Sequence, residues 1–188
     1  MVDGLGLTER QQDAIQQLGL TTVELGASLG PCTRLGVGGG CGALVTGDSE
    51  AAALLGRWTR RERLKLTTIT RGANLLVREG GLAGVVLLEE PGEDPEDDPL
   101  PGVPLFLDPE QGSTAGELLD RSGLLGVRIR GVRIAADHPN RLVTEEGARA
   151  QDVEVLVDLA RARIAAQWGV ELTPAVTMVG RSIPRSAR

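Results

Sequence analysis

The stretch from Leu64 to Leu88 constrains this chain most, because two apolar runs in it enclose two turns that contain glycine. The runs 66–69 and 85–88 are rich in Leu, Ile, Val and Thr and predict strands, while 72–77 and 80–84 predict a short turn and a glycine-rich connection. A strand that ends in glycine, a small residue and Asn can present backbone N–H groups to an anion such as a pyrophosphate. An ordinary turn is the simpler interpretation on these residues alone, since a glycine after a strand usually marks only that.

The run Arg71 to Val86, RGANLLVREGGLAGVV, resembles the flavin-pyrophosphate loop of the UDP-N-acetylenolpyruvoylglucosamine reductase family (UDP-N-acetylmuramate dehydrogenase, MurB). The family's usual loop is Gly-Gly-Gly-Ser-Asn-Leu-Leu-Val, followed by an acidic residue, Gly-Gly and Gly-Val-Val. The earlier run Thr33 to Gly40 is similar to the Thr-Thr-Leu-Arg-Val-Gly-Gly-Pro segment of the same family. The resemblance implies that FAD would be held by the following residues: Arg71, Gly72, Ala73, Asn74 and Leu75.

The second half of the chain is similar to the end of the same family's substrate domain. The similar segments are FLDP at 106–109, AGELLD at 115–120, GLLG at 123–126, HPN at 138–140 and QDV at 151–153. The resemblance implies an α/β (α+β) fold in two small lobes. Residues 1–90 are the remnant of an FAD-binding, PCMH-like half, 91–102 an acidic, proline-rich linker, 103–180 the C-terminal lobe and 181–188 a basic tail.

Family members reduce the enolpyruvyl group of a UDP-sugar with FAD and NADPH, in the synthesis of peptidoglycan precursors. The resemblance places the family's proton-donating Ser at Pro104 and its Glu at Ala175, and it finds no counterpart of the segment that carries the Arg. The segment between Leu88 and Leu105 stands where the family has a further domain. No catalytic residue is therefore assigned.

Two hypotheses about function follow from these positions. By descent the chain is an FAD- and NADPH-dependent oxidoreductase of cell-wall synthesis. By its residues it is a pseudoenzyme, in which FAD binding is weakened or lost and NADPH is not used. Such a module would act through a protein of cell-wall synthesis, through a nucleotide or flavin, or as a homo-oligomer.

Composition excludes several other classes of fold and function. Aromatic residues are 2% of the 188 residues, so the core is expected to consist of Leu, Val, Ile and Ala. A net charge of −6 argues against a nucleic-acid binder. The chain has no long apolar run and no signal segment, which predicts a cytoplasmic protein without a membrane span. Cys32 and Cys41 are interpreted as free thiols, His138 as a structural or surface residue, and no metal site is expected.

Local patterns predict the other elements. Helices are expected from Thr8 to Leu18, from Asp48 to Arg61, after Thr114, and from Gln151 to Trp168. Strands are expected over 21–25, 127–134, 141–144, 170–172 and 176–179.

Two charged segments leave alternatives open. The acidic linker is either a spacer or a docking segment for a basic partner. Arg128, Arg130 and Arg133 either lie on a solvated strand face or form a site for a nucleotide or phosphate.

Overall fold

The computed structural model describes residues 6–90, 100 and 102–183. Almost all of the acidic linker and the last five residues of the basic tail lie outside these ranges. The helices are α1 (Glu9–Gln16), α2 (Ser49–Glu62), α3 (Ala115–Arg121) and α4 (Ala150–Trp168). The strands are β1 (Thr22–Leu25), β2 (Cys41–Thr46), β3 (Leu66–Thr70), β4 (Leu75–Val77), β5 (Leu82–Glu89), β6 (Val103–Pro104), β7 (Arg128–Ile129), β8 (Val132–Ile134), β9 (Arg141–Thr144) and β10 (Thr177–Val179).

The first lobe is built on a four-stranded sheet in the order β1-β2-β5-β3. Strands β2 and β3 both run parallel to β5, which lies between them, and β1 is antiparallel to β2. Side chains of β5 alternate between two cores: Val85 and Leu87 face α1 and α2, whereas Val86 and Leu88 face the other side. Burial on both faces explains why this strand is a continuous apolar run.

The second lobe packs α3 and α4 against an antiparallel sheet in the order β6-β9-β8-β7. Helix α4 buries a stripe of apolar residues at helical spacing and ends at Gly169, whose φ is +66°. Helix α3 begins with a capping box between Thr114 and Glu117. The large core of this lobe also contains Leu35 and Leu76 from the first lobe.

The last strand returns to the first lobe, where β10 pairs in parallel with β4. Three further contacts join the lobes beside this pair. The Ala150 N–H, in the first turn of α4, donates to Glu79 Oε1 at 2.9 Å. Arg78 Nε lies 3.5 Å from Glu154 Oε2, and the Thr144 hydroxyl donates to the Leu35 carbonyl at 2.8 Å. Because these contacts come from separate elements, the two lobes are held in one arrangement.

The α/β prediction is confirmed, and four local predictions are wrong. Residues 127–134 form a hairpin rather than one strand, because Arg130 adopts φ +50° and turns the chain between β7 and β8. Residues 170–172 form no strand. Leu82–Gly84 belong to β5 rather than to a connection. The predicted turn 72–77 ends in strand β4, because Leu75–Val77 pair with a distant strand, β10.

None of the helices in the described ranges is long and apolar enough to cross a bilayer.

Candidate functional site at the lobe junction

The side chain of Asn74 lies where the two lobes meet. Its Nδ2 donates to the Ala175 carbonyl at 3.1 Å and to the Pro104 carbonyl at 3.3 Å. The backbone carbonyl of Asn74 accepts from the Thr177 N–H at 3.1 Å, immediately before the β4–β10 pair begins. The fold therefore brings one predicted FAD-binding residue against both positions that sequence resemblance assigns to the family's Ser and Glu.

A cleft of about 440 Å³ opens beside this junction. Its lining is mainly apolar and contains no charged residue: Thr67, Thr68, Ile69, Thr70, Ala73, Asn74, Leu75, Ala175, Thr177 and Val179. Two of the lining oxygens, Asn74 Oδ1 and Thr67 Oγ1, are buried and have no hydrogen-bond partner among the described residues. Buried polar atoms of this kind normally have a hydrogen-bond partner. These two oxygens are therefore available to hydrogen-bond a molecule in the cleft.

Most backbone N–H groups of the predicted pyrophosphate loop already donate hydrogen bonds within the chain. Four of the five N–H groups from Arg71 to Leu75 donate within the chain. Their acceptors are the carbonyls of Glu89, Cys32, Thr70 and Ala73, respectively, for residues 71, 72, 73 and 75. A phosphate is held by N–H groups that point at it, and a donor already bonded inside the fold is not available for that purpose.

Arg71 also has a partner in this loop. Its Nε lies 2.8 Å from Glu90 Oε1 and 2.9 Å from Glu90 Oε2, so both carboxylate oxygens accept from one donor. The two side chains are about half exposed, at 43% and 56%. The Glu90 carboxylate occupies the Nε donor and offsets the guanidinium charge, so an anion that approached Arg71 would compete with it.

The arginine cluster of the second lobe is paired with carboxylates. Arg128 and Arg133 both donate to Glu145, at 2.6 Å and 2.9 Å, and their hydrogen bonds, that of Arg133 first, lower the pKa of Glu145. Arg130 lies in the hairpin turn, 3.8 Å from Asp152. The local arrangement favours an ion-paired surface over an open phosphate site.

The remaining reactive side chains are separate from the junction. His138 lies at the surface, 3.8 Å from Asp137. In the part of the chain that the structure describes, His, Cys, Asp and Glu side chains form no group of three that would hold a metal ion. Cys32 and Cys41 are buried and unbridged, as interpreted from the sequence.

We predict that the free energy of unfolding falls at alkaline pH because the two cysteine thiols are buried. Burial raises the pKa of Cys41 to about 12, whereas a thiol in the unfolded chain ionises near pH 8.5. The folded state therefore holds the proton that the unfolded state releases, and stability falls as pH rises from about 8.5 towards 12. At pH 10 the loss from this group reaches about 2 kcal/mol.

Urea denaturation of the protein between pH 7 and 10 measures this slope. The Cys41→Ala variant should show a shallower slope, retaining only the smaller contribution of Cys32, whose pKa burial also raises. An equal slope in the two proteins would contradict the assignment to Cys41.

Sequence reasoning found Asn74 but missed its role as the joint between lobes, and it missed Thr67. Asn74 hydrogen-bonds residues that lie 30 and 101 positions further along the chain, and no local sequence pattern indicates such distant partners. Thr67 is one of three threonines in a strand of five, and only the fold distinguishes its buried hydroxyl from its neighbours.

Comparisons with known proteins agree with the resemblance. The model of the UDP-N-acetylenolpyruvoylglucosamine reductase C-terminal domain matches residues 94–179. A reductase of that name from Desulfosudis oleivorans is 41% identical over 76 residues, which are 40% of this chain and 24% of the relative. One from Heliobacterium modesticaldum is 38% identical over 78 residues, 42% of this chain and 25% of the relative. The aligned regions therefore span about a quarter of the length of these relatives.

A solved structure of the reductase from Thermus caldophilus has the same fold. Its TM-score is 0.62 at 17% sequence identity, and the superposition covers 84% of this chain and 98% of that chain. Identity at this level supports the fold alone, and the family assignment depends on the second lobe. The comparisons therefore support a relationship of part of the chain, residues 94–179, to the UDP-N-acetylenolpyruvoylglucosamine reductase family.

Proposed function

We propose that this chain is a non-catalytic member of its family and serves peptidoglycan precursor synthesis as a binding or regulatory module. In this proposal the chain retains the family's fold at the lobe junction but neither reduces the enolpyruvyl nucleotide nor uses NADPH. It acts through a protein partner of the same process.

The convergence of Asn74, Pro104 and Ala175 carries the proposal. Resemblance alone aligned Pro104 with the family's proton-donating Ser and Ala175 with its Glu. The hydrogen bonds from one Asn74 side chain to both residues support the view that these positions share one site. Neither a pyrrolidine ring nor a methyl group can transfer a proton, and losing one positioned acid or base typically slows a reaction by about 10²–10⁴.

The residues of the junction do not fit the pyrophosphate of FAD. Most N–H groups of the loop are bonded inside the chain, and the Arg71 side chain is paired with Glu90. The uncharged cleft beside Asn74 offers no cation to a diphosphate. Binding of FAD through this loop would require several of these bonds to break, so we propose that affinity for FAD is weak or lost.

The second candidate is an active FAD- and NADPH-dependent UDP-N-acetylmuramate dehydrogenase. The relationship to the family favours it, as does the cleft that opens at the junction with two unpartnered oxygens. This candidate requires other groups to supply the proton and to polarise the substrate.

Absorbance spectroscopy and a turnover assay separate the two candidates. We expect the purified protein to lack flavin absorbance, to show no saturable change when titrated with FAD, and to catalyse no NADPH oxidation that depends on the enolpyruvyl nucleotide. The Heliobacterium reductase, assayed in parallel, is the positive control. Nucleotide-dependent turnover above the level without protein would refute the proposal, and saturable FAD binding without turnover would refute only its cofactor part.

A further inference from the structure

We propose that the cleft beside Asn74 binds an uncharged small molecule with an apolar body and an N–H or O–H group that donates a hydrogen bond to the cleft. Such binding rests on the proposed function, in which FAD does not occupy this space. It names the chemical class of ligand that a non-catalytic chain would take at the lobe junction.

The side-chain oxygen of Asn74 is fixed as a hydrogen-bond acceptor. Both Nδ2 protons are already used, because this nitrogen donates to the Ala175 carbonyl and to the Pro104 carbonyl. Rotating the amide by half a turn would place Oδ1 against those two carbonyl oxygens, so its orientation is set. Oδ1 is buried and has no partner among the described residues. Because an amide oxygen only accepts, a ligand that satisfies it must carry a donor.

The hydroxyl of Thr67 lies among apolar side chains of the same cleft. Thr67 is opposite Val86 in the parallel pair of β3 and β5, so the two side chains point to the same face of the sheet. That face also carries the buried side chains of Ile69 and Leu75. The Thr67 Oγ1 atom is buried and has no partner in the described ranges. The cleft therefore combines apolar walls with two oxygens that lack hydrogen bonds.

The cleft has the size and shape of a small-molecule site. Its volume of about 440 Å³ falls within the range of about 300–1,000 Å³ that is typical of ligand pockets. One wall is β3, and the opposite wall consists of Ala175, Thr177 and Val179. A space closed on both sides admits a small molecule but not the sheet of another protein. Mainly apolar walls with a few placed polar atoms are also typical of such sites.

The absence of charge in the lining determines the class of ligand. None of the lining residues in the described part of the chain is charged. Moving a carboxylate or a phosphate out of water into such surroundings is unfavourable unless a cation pairs with it. The cation of the adjacent loop, Arg71, is already paired with Glu90. The favoured ligand is therefore neutral, which distinguishes it from nucleotides and from carboxylate metabolites.

Titration of the ¹⁵N-labelled protein with three related probes tests the inference by NMR. Indole has an apolar body and one N–H donor, 1-methylindole has the same ring without the donor, and indole-5-carboxylate keeps the donor but adds a negative charge. We expect indole to cause saturable shifts of the Ile69, Asn74 and Thr177 amide signals. 1-Methylindole should bind about three- to tenfold more weakly, the factor that one hydrogen bond normally contributes. Indole-5-carboxylate should bind at least about tenfold more weakly than indole.

A substitution that narrows the cleft identifies the site. Ala175→Leu extends a side chain from the wall opposite β3 and should weaken indole binding by about tenfold or more, because it fills the space that the ring needs. Ala53→Leu is the matched control, since Ala53 is exposed on α2 outside the cleft, and it should leave the affinity unchanged. The comparison of the three probes uses the unmodified protein and does not depend on either variant.

Three results would each overturn the inference. They are the lack of saturable shifts at the cleft, equal or tighter binding of 1-methylindole, and indole binding that a folded Ala175→Leu variant retains. Flavin absorbance and turnover test the proposed function separately, because neither signal enters this titration. A failed titration with a colourless, inactive protein would therefore refute the ligand class and leave the proposed function standing.

Discussion

Asn74→Asp should reduce the free energy of unfolding by about 3–5 kcal/mol, the cost of placing an uncompensated charge in a partly buried site. The side-chain Nδ2 now donates to two carbonyls from two different segments of the second lobe. A carboxylate of the same shape has no proton to donate and turns its charge towards both carbonyl oxygens. The change therefore replaces two attractions with two repulsions at the joint between lobes.

Urea denaturation at pH 7 measures this loss, and its pH dependence identifies the cause. The unfolded carboxyl titrates near pH 3.9, and the folded site favours the protonated form, which can donate again. The deficit relative to the unmodified protein should therefore be smallest below about pH 4 and should grow as pH rises.

Asn74→Ala separates the two causes in this prediction. It removes both hydrogen bonds without adding charge, so it should cost less than Asn74→Asp at pH 7 and should show no such pH dependence. Equal losses in the two variants would mean that the charge does not matter at this site. Unchanged stability in both would mean that Asn74 does not join the lobes.

Much of the fold could be predicted because its signals are local. The capping box of Thr8 and Gln11 begins α1, and Asp48 accepts hydrogen bonds from the first turn of α2. The apolar stripe of α4 and the doubly buried run of β5 each follow from spacing alone. These elements need no knowledge of distant residues.

The predictions that failed depended on backbone choices or on partners far along the chain. Alternation over 127–134 is typical of a strand, but the left-handed conformation of Arg130 makes a hairpin, and an arginine gives no warning of it. The β4–β10 pair joins residues about a hundred positions apart, and the sequence of neither strand specifies that partner.

The candidate site, too, could be predicted only in part from the sequence. The loop around Asn74 was found by resemblance, yet its N–H groups are used by the fold itself, which only a complete account of the hydrogen bonds reveals. The predicted FAD-binding role of residues 71–75 and the predicted domain boundaries both stay predictions.

Gly39→Ala should cost about 3 kcal/mol or more, since a new methyl group would have to displace backbone and not a flexible side chain. A Cβ atom at Gly39 would lie 2.5 Å from the Arg78 carbonyl oxygen, 2.7 Å from the Glu79 carbonyl oxygen and 2.7 Å from the Gly81 nitrogen. The glycine-rich segment therefore approaches a neighbouring segment of the chain, the one that carries the Glu79 contact to α4.

Gly36→Ala, in the same loop, is the matched control. A Cβ atom there meets nothing within 4 Å, and the positive φ of +66° alone should cost about 1–2 kcal/mol. Hydrogen exchange then distinguishes strain confined to the substituted loop from weaker contacts between the two lobes. In Gly39→Ala we expect faster exchange at the Arg78 and Ala150 amides, which bond across the lobes, whereas Gly36→Ala should leave them protected. Equal protection in both variants would show that the approach of Gly39 to 78–81 does not hold the lobes together.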